Sequence, residues 1–167
     1  MWLVARETPV CRGETGSSAQ RSAGTSSGAL TTVTSSAASV RTFGLALLLH
    51  ASEPIGHLYP GKEAATPERL LGLLPTFQGI PIILAHAGGG LPFYSSMPEV
   101  QEQLSEVYVD TAALPFLYRP SVVRTLIATI GVERILFGSD FPLTSQKRTL
   151  LYLDQAHLTR LEQDAIV

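Results

Sequence analysis

The sequence predicts an α/β fold, a partial (β/α)8 TIM-like barrel of about four parallel strands with helices, preceded by a disordered N-terminal tail. Three observations carry that expectation. Short apolar runs recur at Gly44–Leu49, Ile80–Ala85, Val107–Val109 and Arg134–Phe137, the pattern of strands buried on both faces in a parallel sheet. Helical segments alternate with them, which implies right-handed crossovers. Each run also leads into a residue that can bind metal or move a proton: His50, His86, Asp110 and Asp140. An open doubly wound sheet would concentrate such residues at one switch point. A barrel collects them from the C-terminal ends of several strands, and fits better. A full barrel needs eight strands and typically about 250 residues. Residues 43–167 suffice for half of one.

The tail comes first. From Gly13 to Thr42, 23 of 30 residues are Gly, Ala, Ser or Thr, and the only aliphatics are Leu30, Val33 and Val40. Such a stretch cannot bury enough apolar surface to offset its ordering entropy, so residues 1–42 are expected to be disordered and outside the fold. An Arg- and Ser-rich organelle transit segment and a flexible linker are two explanations. A misread gene start or truncated copy is the third, favoured by the abrupt change of texture at Phe43.

Strand one, Gly44–Leu49, runs into His50, and a loop with Pro54, Gly56, Pro60 and Gly61 follows. Thr66 is a suitable N-cap and Pro67 a suitable first helical residue. Leu70, Leu71, Leu74 and Phe77 give that helix one apolar face, and Pro75 should end it. Strand two, Ile80–Ala85, delivers His86 onto a triple glycine, Gly88–Gly90, where backbone can approach a ligand closely. Ser96 and Glu99 form an apparent capping box with Pro98 in the first turn, opening a helix to about Ser105. Strand three, Val107–Val109, ends at Asp110. Pro120 opens a helix striped by Val122, Val123, Leu126, Ile127 and Ile130 and closed by Gly131. Strand four, Arg134–Phe137, leads to Asp140. A helix over about 145–155 and a last one capped by Thr159 and Glu162 complete the chain.

Composition excludes several classes. The chain is 45% hydrophobic and 16% charged, sufficient for a core, and its net charge of −2 with no basic cluster argues against nucleic acid or an anionic membrane surface. No apolar run approaches the roughly 20 residues of a membrane span. The single cysteine, Cys11, allows no internal disulfide, so a reducing, cytoplasmic location is the default. The partner expected is a small-molecule substrate, with self-association through open sheet edges.

The stretches LLHASEPIGHLYPGK, IILAHAGGGLPFY, VYVDTA and ILFGSDFPL, in this order, resemble the C-terminal half of the amidohydrolase-related family. Its members are metal-dependent TIM-barrel enzymes, hydrolases of amides and lactones among them and also non-oxidative decarboxylases. The resemblance implies that His50 is a metal ligand, that His86 binds or orients water and substrate, and that Asp140 is a metal ligand and proton acceptor. It also implies a divalent metal, most simply zinc, activating water against an amide, ester or lactone. The family's first strand carries a His-x-His pair of ligands, and no such pair exists in this sequence. Zinc is therefore expected to be weakly held or absent.

The residue types agree with these roles. Imidazole and carboxylate suit zinc, a bound water's pKa falls toward about 7, and a neighbouring carboxylate can take its proton. Glu53, one turn past His50, could hold substrate or support the ligands, as could Gly88 and Gly89. Asp110 could do so too, or simply cap the turn after its strand. His57, in a Pro/Gly loop, is expected to be structural or solvated, and His157, before a helix cap, to have no role in the site. Two alternatives to hydrolysis stay open: decarboxylation on the same site, and a catalytically inactive half-barrel remnant.

Overall fold

The computed structural model describes Leu3–Val4 and residues 38–59, 62 and 65–167. Five strands form one sheet: β1 (Leu3–Val4), β2 (Leu47–Leu49), β3 (Ile82–Leu84), β4 (Val107–Asp110) and β5 (Ile135–Leu136). They lie in sequence order and every pairing is parallel, with Leu47 opposite Ile82, Ile82 opposite Val107 and Val109 opposite Ile135. Unbroken sequence order is the arrangement of neighbouring barrel strands, and among the described residues there is no switch point of a doubly wound sheet.

The four expected strands are β2 to β5; β2, β3 and β5 are shorter than their apolar runs, and β4 runs one residue past its own, through Asp110. The tail expected over 1–42 lies mostly outside the described residues, but two parts of it do not. Leu3–Val4 pairs with β2, occupying the edge that had been expected to stand open. Residues 38–42 turn helically and set Val40 in the core at 1% exposure. The unit therefore extends upstream of Phe43. A two-residue strand has no period to detect, which is why the sequence pattern did not reveal it.

Among the described residues, the strands are flanked by helices α1 (Pro67–Leu73), α2 (Pro98–Gln103), α3 (Leu114–Leu117), α4 (Val122–Ile130), α5 (Gln146–Asp154) and α6 (Arg160–Ile166). Helix α1 starts at Pro67 as expected, and the chain tightens into a 3-10 turn, Leu74–Phe77, at Pro75. The apparent Ser96–Glu99 capping box does not form. Met97 is the N-cap of α2 and its first turn has no side-chain cap. The Thr159–Glu162 box does form, with both reciprocal bonds present. Helix α4 buries Val122, Val123, Leu126 and Ile130, and Gly131 closes it with φ 86°. Helix α3 had no sequence signal, because LPFL is too short to show a period.

The core lies against one face of the sheet, where Leu47, Ile82, Leu84, Val109 and Ile135 share a side by their register, and continues to Leu70, Phe77, Val123, Leu126 and Leu153. At the far edge the backbone N–H of Phe137, just past β5, donates to the Ile166 carbonyl at 2.9 Å. Helix α6 thus covers part of that edge. No helix among the described residues is long and apolar enough to cross a membrane.

Candidate active site at the strand ends

Because β2 to β5 are parallel, the residues that follow them all emerge at one end of the sheet. His50 follows β2 directly, His86 comes two residues after β3, Asp110 ends β4, and Asp140 lies on the loop after β5.

His86 owes its placement to an unusual turn. Five consecutive residues, His86 to Gly90, have positive φ: 58°, 55°, 64°, 59° and 85°. Glycine adopts this left-handed conformation freely, but for His86 and Ala87 it costs about 1–2 kcal/mol each. At Gly89 a second constraint acts, since a Cβ there would meet the Ser52 carbonyl oxygen at 2.7 Å. The glycines expected to leave room for substrate instead let this turn fold tightly against the loop after β2. Gly88 is packed as well, its Cβ position 3.1 Å from Pro92.

Asp110 clamps the turn. Its Oδ1 accepts the backbone N–H of His86 at 2.8 Å and that of Ala112 at 3.0 Å. Hydrogen bonds to a charged acceptor contribute about 1.5–3 kcal/mol each, the order of the turn's strain. Asp110 is 7% exposed. Burial raises its pKa, the bonds from His86 and Ala112 oppose that rise, and the charge of Asp140 adds to it. Asp140 is thus an electrostatic neighbour of Asp110; its own backbone has φ 65°. Behind the clamp, Thr111 Oγ1 donates to the Gly138 carbonyl at 2.9 Å and accepts the Gly138 N–H at 3.0 Å, joining β4 to the loop that carries Asp140.

The two imidazoles meet. His86 Nε2 lies 3.2 Å from His50 Nδ1, with ring planes inclined at 70°. His86 Nδ1 lies 3.1 Å from the Ala112 carbonyl. A carbonyl can only accept, so Nδ1 carries the hydrogen and, in the neutral ring, Nε2 is the acceptor. His50 Nδ1 then donates to it.

The metal implied by the sequence resemblance can be tested on these donors. A catalytic zinc takes three protein ligands and keeps one position open. Among the described residues no three His, Cys, Asp or Glu side chains stand close enough to hold an ion. His86 spends one ring nitrogen on Ala112 and the other on His50. The donors present do not build a metal site by themselves.

Other groups were not evident from the sequence. The Tyr59 hydroxyl donates to Glu53 Oε2 over 3.5 Å. Tyr118 stands against the same carboxylate; burial first, then the Glu53 charge, raises its pKa. Tyr152 Oη donates to the carbonyls of Tyr118 at 3.2 Å and Arg119 at 2.9 Å, fixing that segment. No spacing in PFLYRP marks Tyr118, because only the fold brings it to Glu53. His57 and His157 are both exposed.

Residues 35–166 match the amidohydrolase family, and the chain belongs to it. A search of curated proteins finds no match. Among solved structures, the chain is similar to a dihydroxybenzoic acid decarboxylase from Polaromonas sp. JS666 with bound manganese and the inhibitor 2-nitroresorcinol. The identity is 21% and the TM-score 0.62, over 77% of this chain and 49% of that one. It is also similar to the 5-carboxyvanillate decarboxylase of Sphingomonas paucimobilis, at 14% identity and TM-score 0.61, over 78% of this chain and 49% of that one. The chain spans about half the length of the structures it matches. At these identities the likeness is one of fold: part of an amidohydrolase TIM barrel.

Proposed function

We propose that this chain supplies the C-terminal half of a metal-dependent hydrolase site, in which water attacks an amide, ester or lactone of a small molecule. The observation that carries this reading is the delivery of His50, His86, Asp110 and Asp140 from four consecutive parallel strands to one end of the sheet. Membership of the amidohydrolase family supports it. The donors present fall short of a metal site, so in this reading the ion's ligands are completed from outside the described residues.

What the chain's own residues do can be stated without the ion. The contact between His50 Nδ1 and His86 Nε2 and the bond from His86 Nδ1 to the Ala112 carbonyl orient the two imidazoles at the strand ends, while the Asp110 clamp keeps the His86 backbone in place. Asp140, on the exposed loop, is the carboxylate free to exchange a proton with solvent or substrate.

Non-oxidative decarboxylation is the second reading, favoured by the decarboxylases among the similar folds, one of which holds manganese. Both readings are tested by mixing the purified chain with a separately produced family half barrel that carries the His-x-His strand. Metal content, base-coupled hydrolysis of a lactone and ester panel, and CO2 release from hydroxybenzoates are then measured. We expect the chain alone to retain far less than one equivalent of zinc or manganese and to show no turnover. The mixture should take up metal and hydrolyse, and Asp140→Asn should abolish that activity. Stoichiometric tight metal in the chain alone would refute the shared-ligand reading. CO2 release in place of hydrolysis would select decarboxylation, and a mixture that loads metal yet does neither would leave an inactive remnant.

A further inference from the structure

Because β3, β4 and β5 lie side by side in sequence order, the segments that follow them stand in a row at the end of the sheet that carries the candidate site. That row exposes large apolar side chains. They are Phe93, Tyr94 and Met97 after β3, Phe116 on α3 after β4, and Phe141 and Leu143 after β5, each between 37% and 77% exposed. Contacts join them into one surface. The Phe93 ring meets Tyr118 edge to face, with centroids 6.0 Å apart. Tyr118 lies two residues past Phe116, and the Arg148 guanidinium sits 4.3 Å over the Phe116 ring. Arg148 belongs to the first turn of α5, shortly after the loop of Phe141 and Leu143.

The combined exposed area is on the order of 500–750 Å² per chain, at about 150–250 Å² for a whole large side chain. The largest apolar patch on a typical monomer is about 300–600 Å² and is often functional. A stable interface buries about 800 Å² on each partner, of which just over half is apolar. This surface therefore matches the apolar share of a standard interface.

Its two ends carry opposite charge. Glu99, exposed in the first turn of α2, stands beside Met97 at the β3 end. Lys147 and Arg148, exposed in the first turn of α5, stand at the β5 end. A helix start favours acids, so these two cations sit unfavourably within their own chain. An acidic surface opposite them reverses that. A two-fold axis near Phe116 brings the acidic end of one copy onto the basic end of the other, and every such contact then occurs twice.

We propose that this surface binds a second copy of the chain, with Tyr94, Met97 and Glu99 of one copy packed on Phe141, Leu143 and Lys147 of the other. Asp140 immediately precedes Phe141, so the dimer sets its partner's loops at the rim of the candidate site. Association needs neither metal nor turnover, and its failure leaves the hydrolase reading as it was.

Sedimentation equilibrium of the full chain at micromolar concentration is the test, with Glu99→Lys and Lys147→Glu as charge-reversal variants. Wild type should form a dimer. Each variant alone should show a dissociation constant at least about tenfold higher, because the symmetric interface then sets like charges opposite one another twice. An equal mixture of the two should dimerise about as well as wild type, since each reversed charge faces its complement. Recovery in the mixture also shows that both variants are folded. Tyr94→Ser with Met97→Ser, two strands away from β5, should weaken the dimer at least about tenfold as well. A monomeric wild type would overturn the proposal and leave the surface to a partner of another kind. Variants that associate like wild type, or a mixture no better than its components, would overturn it too and place any self-association at the β5 edge.

Discussion

Replacing Gly89 with alanine tests whether the turn carrying His86 is held by close approach as well as by backbone conformation. Two terms add. At φ 59° an alanine incurs the left-handed penalty of about 1–2 kcal/mol. Its Cβ would also lie 2.7 Å from the Ser52 carbonyl oxygen and 2.8 Å from Ser52 C and N. These are backbone atoms and cannot swing aside, so an overpacking cost of about 1–3 kcal/mol follows. Gly79 is the control. It has φ 77°, but nothing lies within 4 Å of its Cβ position, so Gly79→Ala incurs only the conformational term. Urea unfolding followed by far-UV circular dichroism should show a loss of about 1–2 kcal/mol for Gly79→Ala and about 2–5 kcal/mol for Gly89→Ala. Equal losses would refute the close-packing argument and return the triple glycine to a role in ligand access.

Asp110→Ala removes the acceptor of two backbone N–H groups and should cost about 3–6 kcal/mol, whereas Asp110→Asn keeps one oxygen facing them and should cost about half as much. Thermal melts of the two variants decide it; equal Tm values would mean the clamp contributes little. Self-association is a second expectation, because among the described residues β5 pairs only with β4, and the loop beyond it exposes Phe141 (77%) and Leu143 (63%). Sedimentation at micromolar concentration should find a dimer or larger species, shifted toward monomer by Phe141→Ser with Leu143→Ser; a wild-type monomer would show that this surface is self-sufficient. Glu162 has its pKa lowered, first by the Thr159 backbone N–H and then by the Thr159 hydroxyl. Its contribution to α6 is therefore fully present above the ordinary glutamate range and is lost as pH falls through the lowered value. Glu162→Gln should flatten that part of the stability–pH curve, and an unchanged curve would remove the assignment.

Much of this fold was legible in the chain because its signals are local. Apolar runs such as IPIIL mark parallel strands, since a strand buried on both faces needs no polar alternation. The Thr159–Glu162 cap could be read directly, because both partners lie within one turn. The Ser96–Glu99 pair shows the limit of such reading. The same residue types stand at the same spacing, but the chain enters α2 through Met97 and the box stays open. Strand ends were readable as well, and with them the four residues that gather at one end of the sheet.

What the tertiary structure decided depends on contacts between residues far apart in sequence. His86 was visible as a strand-end histidine. That both its nitrogens are engaged, one by the Ala112 carbonyl and one by His50, follows from the packing of three strands. Asp110 could be read as a turn cap or a functional carboxylate, and its geometry makes it the clamp on the left-handed turn of its neighbouring strand. Glu53 was singled out by its spacing from His50, but the two tyrosines set against its carboxylate, Tyr59 and Tyr118, arrive there only through folding. Side-chain chemistry is written residue by residue in the sequence, whereas the partner each group meets is set by the folding of the whole sheet.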